Sequence, residues 1–280
     1  MLAGALRHAR GALFCALAGL AVPLAARAAE LPAWQQLVFE QSRFGVTARS
    51  LVAVDTAADG SAAWQLEARS SVADNSETVT LAMAADSGAL CQRARYSAGR
   101  NQRYKGWDYL PGYVERERRE PAGGDTADPA SWPVSSRKSI AYPAELGSLA
   151  LTDAYALLPL AARLRVDGVS SAVYAVHTDF NFYRVSLVAS AGEALAVDYR
   201  ELPAGQLRQG ERSTRVVDVR VSPLGPLHGA PDFSLLGLEG DIRIIFDAAS
   251  DLPLQLRGLA PRVGATAINL SEVTLRTPAQ

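Results

Sequence analysis

Two histidines lie beyond the N-terminal apolar segment, and both stand in patterns that could support catalysis only with further partners. His177 belongs to the alternating segment AVYAVHTDF, and His228 belongs to GPLHGAP. Asp179 follows His177 by two residues, so on a strand its carboxylate would share a face with the imidazole and could orient it. A catalytic triad also needs a nucleophile, and the sequence has no G-x-S-x-G elbow. The pattern therefore predicts a half-exposed strand histidine, no catalytic residues and no enzyme.

The spacing of possible metal ligands predicts neither a metal site nor a cofactor. The two cysteines are Cys15 and Cys91, and no H-x-x-x-H, C-x-x-C or D-x-D-x-D-G pattern is present. A metal site needs such side chains to converge on one point. The carboxylates of Glu115 and Glu117 lie in ERERRE, where the alternating signs indicate a solvated strand.

Residues 93–113 combine arginine with aromatic side chains. Arg93 and Arg95 would share one strand face, and Trp107 and Tyr109 follow on the next segment. Arginine beside tyrosine and tryptophan can bind sugars or phosphate head groups through stacking and bidentate contacts. The same pattern also suits an ordinary amphipathic strand in an arginine-rich protein. Both interpretations stay open.

Residues 149–168, LALTDAYALLPLAARLRVDG, have helical periodicity within an otherwise strand-like chain. The hydroxyl of Thr152 predicts a helix cap at the start. Pro159 in the middle of a helix would cost about 3 kcal/mol, so we expect two short helical pieces with Pro159 near the first turn of the second. Because the segment is apolar nearly all round, it should be buried on more than one side. It could cover the concave face of a curved sheet or pack outside a sandwich.

Candidate ligand-binding residues come from three segments: the arginine–aromatic stretch, the helical segment and the irregular stretch 223–240. If exposed, their apolar side chains would form a site for a ligand or partner. If packed, they would plug an open end of the barrel. The candidates are Trp107, Tyr109, Leu151, Tyr155, Leu158, Leu160, Phe233 and Leu236.

The rest of the chain alternates apolar and polar residues in segments separated by turns. This spacing predicts about ten to twelve half-buried strands, with a hairpin around DFN and long loops at 121–136 and 223–240. We expect a mainly β fold: a curved antiparallel sheet or half-open β-barrel, with one interrupted helical segment as plug or cover.

The N-terminus has the pattern of an export signal. Arg7 and Arg10 precede an apolar run that ends in Ala26-Arg27-Ala28, the small-x-small pattern of a cleavage site. We therefore expect a cleaved signal peptide at residues 1–28, a single β-barrel-like domain at 29–280 and a periplasmic location. With one cysteine left after cleavage, the fold would have no internal disulfide.

The charge balance argues against a nucleic-acid partner. The chain has 28 basic and 29 acidic residues. Removing Arg7, Arg10 and Arg27 with the signal leaves 25 basic against 29 acidic residues, a net charge of −4. A nucleic-acid binder usually carries a basic surplus.

The order of elements between residues 145 and 275 resembles a domain-of-unknown-function family of exported bacterial proteins. The resemblance rests on TDAYALLPLAARLRVDG, the strand pair AVYAVHTDFNFYRVSLVA, then EALAVDYRE, and finally IRIIFDAASDLPLQLRG. It implies a half-open β-barrel with a helical plug, similar to the periplasmic lipoprotein-localisation proteins. The loops 121–136 and 200–213 are long for that scheme, and the resemblance brings no catalytic residues.

The resemblance also implies a function class. It implies a periplasmic, non-catalytic protein that binds or carries an apolar ligand, such as a lipid or acyl chain, and does not span the membrane after signal cleavage. The alternative is a structural or assembly protein of the cell envelope, with an envelope protein as partner and a barrel filled by its own side chains. A carrier predicts an apolar cavity of about 300 Å³ or more between helix and sheet.

Overall fold

The computed structural model describes residues 30–43, 46–58, 63–72, 74–99, 102–122 and 128–276. The expected signal peptide, residues 1–28, lies outside the described residues. No helix in the described part of the chain is long and apolar enough to cross a membrane.

The described residues form eighteen strands and one α-helix, joined by turns and loops. Two short 3-10 helices, Pro129–Ser131 and Ala144–Leu146, lie in connections. The strands are β1 Trp34–Arg43, β2 Val46–Thr56, β3 Ala63–Val72, β4 Asn75–Ala84, β5 Leu90–Ala98, β6 Arg103–Leu110, β7 Tyr113–Arg119, β8 Val134–Ala141, β9 Leu151–Thr152, β10 Ser171–His177, β11 Phe182–Ala191, β12 Leu195–Leu202, β13 Gln206–Arg212, β14 Thr214–Pro223, β15 Ser234–Leu235, β16 Leu238–Asp247, β17 Pro253–Ala260 and β18 Gly264–Leu275; the helix is α1 Leu157–Val166.

All of these strands belong to a single curved sheet that does not close. From one end, the neighbours run β8, β7, β6, β5, β4, β3, β2, β1, β18, β17, β16, β14, β11, β10 and β9. β9 pairs parallel to β10, and the β12–β13 hairpin joins the side of β18 through β12. At the two ends, β8 pairs with β7 and β9 pairs with β10. The expected mainly β, half-open architecture is confirmed.

In the first strands of the sheet, buried apolar residues alternate strictly with more exposed ones. In β3, Trp64 and Leu66 are buried at 1% exposure while Gln65 between them is exposed. Trp64 lies opposite Met83 and Leu66 opposite Leu81 on β4, so large apolar side chains stack across neighbouring strands. These residues belong to the main core, and we call the face of the sheet that carries them the inner face.

The helical segment packs on the inner face rather than outside the sheet. Leu157, Leu158 and Leu160 are at most 1% exposed and belong to the main core. Gly88, in the turn between β4 and β5, has a positive φ of 71°, and a Cβ there would lie 2.8 Å from Leu160 Cδ2. The absent side chain at Gly88 therefore lets the helix approach the sheet.

The start of the helix differs in part from the sequence-based expectation. Thr152 lies in strand β9, and α1 begins at Leu157 without a side-chain cap, so the predicted Thr152 cap was wrong. Successive backbone bonds, including Ala156 N to Asp153 O at 3.2 Å, form turns before the helix. Pro159 falls in the first turn of α1, as expected, but the residues before α1 form turns and not the expected first helical piece. A first-turn N–H has no intrahelical partner, so proline costs little there.

The described residues contain more strands than the alternation predicted. Residues 90–119 form three strands, β5 to β7. The alternation did not predict them clearly, because charged side chains occupy inward-facing positions and hide the apolar–polar period. β13, within the expected polar loop 200–213, is paired on one side only and needs no apolar face. The expected loop 121–136 ends earlier, since β8 begins at Val134. The hairpin around DFN is confirmed, with His177 opposite Phe182.

The packing of α1 generates a stability prediction. Leu158→Ala should lower the free energy of unfolding by about 2–5 kcal/mol, because it leaves a cavity in the core. Leu259→Ala, at a side chain 57% exposed on β17, is the matched control and should change it by less than about 0.5 kcal/mol. Urea unfolding followed by circular dichroism measures both. A loss below about 1 kcal/mol for Leu158→Ala would contradict a plugging role for the helix.

A cationic inner face on strands β5 to β8

Strands β5 to β8 carry a set of positively charged side chains on the inner face. Arg93 lies opposite Trp107, Trp107 opposite Arg116, and Arg116 opposite Lys138. Because directly opposite residues share a face of the sheet, these side chains form one row. Positions two residues along each strand belong to the same face. We call the whole set the cationic face: Arg93, Arg95, Arg103, Lys105, Arg116, Arg118 and Lys138.

The inner face changes from apolar to charged between β4 and β5. Leu81 on β4 lies opposite Arg93, and Val79 lies opposite Arg95. On the next strands, like charges face each other directly, as Lys105 does with Arg95. Such pairs are destabilising unless carboxylates or a ligand compensate them.

Arg93 forms an ion pair and two hydrogen bonds with protein groups through its Nη1, although its buried Nε has no hydrogen-bond partner. It is 8% exposed, and its Nη1 lies 3.3 Å from Asp153 Oδ2. The same nitrogen donates to the backbone oxygens of His177 and Thr178 at 3.3 Å each, and the guanidinium lies 4.5 Å from the ring centroid of Trp107. Burial is the largest single influence and opposes the charge, but Asp153, Tyr109, Asp179 and Tyr155 together outweigh it and hold the pKa of Arg93 above its ordinary value.

Asp179 compensates two more cations. It accepts hydrogen bonds from Lys105 Nζ and from Arg95 Nη1, the latter at 3.3 Å, and Arg95 Nε donates to Glu77 Oε2 at 2.6 Å. Burial raises the pKa of Asp179, but the hydrogen bond from Lys105 and the positive charges of Lys105, Arg95 and Arg93 together outweigh it, so the net pKa is below its ordinary value. The pKa of Lys105 is lowered by burial and by repulsion from Arg95 and Arg116, despite the attraction of Asp179. Positive charge is therefore in local excess.

That excess is concentrated at Arg116 and Lys138. Arg116 is 5% exposed, and its guanidinium lies 4.8 Å from the ring centroid of Phe180. Among the described residues it forms no ion pair, and its buried Nε has no hydrogen-bond partner. Asp179, which favours its charge, is already bound by Lys105. Burial and repulsion from neighbouring arginines lower the pKa of Arg116. Lys138, directly opposite, is exposed and forms no ion pair with a described carboxylate.

His177 is a buried neutral residue, so the expected half-exposed strand histidine was wrong. It is 0% exposed, and its Nδ1 lies 3.2 Å from the hydroxyl of Tyr109. Burial, with repulsion from Arg93 and Arg116, lowers the pKa of His177 to about 3. Asp179 does not orient the ring, because its carboxylate binds Lys105 and Arg95 instead.

Asp232 holds the turn between β10 and β11 in place through hydrogen bonds. Its Oδ1 accepts bonds from Thr178 Oγ1 at 2.7 Å, Asn181 Nδ2 at 2.7 Å and the Tyr183 hydroxyl at 3.0 Å. The backbone N–H of His228 donates to Asn181 Oδ1 at 2.6 Å. The stretch 223–240 thus positions the turn whose tip contacts the cationic face.

A second apolar cluster lies beside the cationic face and joins side chains of β6 and β7 to side chains of β9, β10 and β11. Its buried members are Trp107, Val114, Leu151, Ala175, Phe182 and Leu224. Four partly exposed side chains on β8 and on the connection from β8 to β9 pack against it. We call these four the seam: Ile140, Tyr142, Leu146 and Leu149.

The structure distributes the predicted ligand-binding residues between the two clusters. Tyr109 packs against both clusters, and Tyr155 packs, partly buried, against the main core. Leu158, Leu160, Phe233 and Leu236 belong to the main core, whereas Leu151 and Trp107 belong to the second cluster. The eight residues therefore do not converge on one exposed site.

The space between helix and sheet is occupied by protein side chains. A cavity of about 410 Å³ lies elsewhere, on β2 to β4, and is lined largely by polar residues such as Arg49, Arg69, Ser70 and Ser76. No residue of α1 lines it.

The pattern of residue types did not predict that Lys105, Arg116 and Lys138 lie on the inner face of the sheet. ERERRE was expected to be a solvated strand, but Arg116 within it is buried. The sequence signal that could have indicated this face is the spacing of two between positively charged residues on successive segments. Their meaning depended on the strand register, which the sequence alone does not specify.

The geometry of the cationic face is the basis for a functional interpretation. No family model, curated protein or solved structure matches the chain. Within the described ranges, no group of three or more His, Cys, Asp or Glu side chains could hold a metal ion.

The buried His177 generates a pH prediction. Its pKa falls from 6.5 in the unfolded chain to about 3 in the folded protein, so below about pH 6.5 the unfolded state binds the extra proton. Acidification should therefore lower stability, with this residue contributing up to about 1.4 kcal/mol per pH unit. His177→Asn should show a shallower loss between about pH 6.5 and 5, measured by urea unfolding. Equal slopes for both proteins would contradict a buried neutral histidine.

Proposed function

We propose that this protein is a non-catalytic periplasmic binding protein whose ligand is an amphiphile, such as a lipid or acyl chain that carries an anionic group. The observation that carries the proposal is the seam, a set of partly exposed apolar side chains of which Ile140 lies two residues from Lys138, a cation without an ion pair among the described residues. An amphiphile likewise has an apolar chain next to a charged group.

The strand register supports this arrangement. On β7 and β8, Val114 lies opposite Ile140 and Arg116 lies opposite Lys138. Ile140 and Lys138 are two residues apart, so both side chains lie on one face. An apolar chain along the seam would therefore bring its charged end to Arg116 and Lys138 without crossing a polar surface.

The proposed ligand position differs from the helix-covered cavity that the sequence suggested. Leu157, Leu158 and Leu160 already pack against the inner face at 1% exposure or less. A ligand at that place would have to displace core side chains, each of which contributes about 2 kcal/mol or more. The seam is partly exposed and needs no such displacement.

A second function is favoured by the same filled interior. A structural or assembly protein of the cell envelope would need no ligand, and its inner face would be filled by its own side chains. The two proposals differ in whether a small amphiphile or an envelope protein occupies the seam.

Native mass spectrometry of the full chain, exported to a bacterial periplasm and purified without detergent, tests the proposal. We expect a stoichiometric amphiphile that organic extraction recovers. Leu149→Asp should reduce its occupancy by about tenfold, because a carboxylate on the seam opposes an apolar chain. Leu259→Asp, at an exposed leucine outside both clusters, is the matched control and should retain the ligand.

The contrary result is a ligand-free mass for the wild-type protein together with no binding of an apolar dye. If the same preparation then contains a stoichiometric envelope protein, the assembly function replaces the amphiphile proposal. Thermal unfolding of both variants by circular dichroism shows that any loss of ligand does not reflect a loss of fold.

A further inference from the structure

The cationic face contains more positive charge than its carboxylates compensate. Asp153 pairs with Arg93, Glu77 with Arg95, and Asp179 with Arg95 and Lys105. Glu120 pairs with Arg118 in the same way. Among the described residues, Arg103, Arg116 and Lys138 form no ion pair. The two that lie directly opposite each other are Arg116 and Lys138.

Arg116 has the features of a ligand-binding residue rather than a solvated one. It is 95% buried, and its Nε, which faces no acceptor, is also removed from solvent. A buried donor without a partner costs about 1–3 kcal/mol, so an unpaired guanidinium at this position is expensive in the absence of a ligand. The ring of Phe180, stacked 4.8 Å from the guanidinium, fixes its plane.

We propose that Arg116 and Lys138 form a binding subsite for a phosphoryl group. A guanidinium donates two parallel hydrogen bonds to phosphate oxygens, and a neighbouring ammonium supplies a second, mobile charge. A phosphate can carry two charges and presents more oxygens than one guanidinium can bind, so it suits a pair of cations. A carboxylate is satisfied by a single arginine fork.

This subsite deepens the proposed function, and it rests on the amphiphile proposal for the origin of the phosphoryl group. The group could belong to a lipid head group or to free phosphate, because the contacts to Arg116 and Lys138 are the same. The seam distinguishes the two sources, since only a lipid gains from the apolar side chains next to Lys138.

The subsite is tested with defined probes by isothermal titration of the full-length exported protein. Any co-purified ligand is first removed by organic extraction, and the protein is then checked for correct refolding. The probes are monododecyl phosphate below its micelle concentration, dodecanoate, a neutral dodecyl glycoside and inorganic phosphate. We expect monododecyl phosphate to bind about tenfold or more tightly than the neutral glycoside, and more tightly than dodecanoate. Inorganic phosphate should bind more weakly than monododecyl phosphate.

Substitutions locate the contact. Arg116→Gln should weaken binding of monododecyl phosphate by about tenfold, and Lys138→Gln by about threefold, because Lys138 is exposed and partly screened. Arg137→Gln is the matched control: it removes a positive charge from the adjacent position of β8, on the opposite face, and should change the affinity by less than twofold. Lys138→Gln keeps the test valid if Arg116→Gln does not fold.

Three outcomes overturn the subsite. The first is equal affinity for monododecyl phosphate and the neutral glycoside, which leaves the amphiphile proposal intact. The second is tighter binding of dodecanoate than of monododecyl phosphate, which assigns the cations to a carboxylate. The third is unchanged affinity in Arg116→Gln and Lys138→Gln. If inorganic phosphate binds in an Arg116-dependent manner while no dodecyl probe binds, the subsite holds and the amphiphile proposal fails.

Discussion

One buried arginine, Arg93, connects three separate parts of this fold. Arg93 on β5 joins the turn before the helix, through Asp153, to the β10–β11 turn, through the backbone oxygens of His177 and Thr178. A buried charge is tolerated only when its partners are all in place, and removal of one partner typically costs about 3–5 kcal/mol. The helix and the turn are therefore held at fixed positions against β5.

That constraint determines where the inner face is apolar and where it is charged. On the β4 side of Arg93, the helix covers Leu81 and Val79 with apolar side chains. On the other side, the β10–β11 turn covers the cationic face with Asp179 and Phe180. Most of the inner face thus belongs to the hydrophobic core, whereas strands β5 to β8 carry buried ionic contacts.

The sequence was sufficient for the elements with regular patterns. Alternation at Trp64 and Leu66 predicted the strands, and the position of Pro159 predicted its place in a first helical turn. The cationic face could not be predicted, because Arg93 and Arg116 become neighbours of Trp107 only through the pairing of three strands. The helix start was misplaced because the polar side chain of Asp153 caps a turn, Tyr155 N to Asp153 Oδ1 at 2.9 Å, and not the helix.

In the proposed subsite, Arg116 serves a ligand at a cost to the stability of the ligand-free protein. The most direct measurement is the free energy of unfolding of ligand-free Arg116→Met, which keeps the apolar stem and removes the unpaired charge. We expect this variant to be more stable than the wild type by about 1 kcal/mol or more, because replacement of a poorly paired buried charge by an apolar group is often stabilising. A loss of stability greater than about 1 kcal/mol would show that the guanidinium is a structural contact, and it would contradict a ligand-binding role for Arg116.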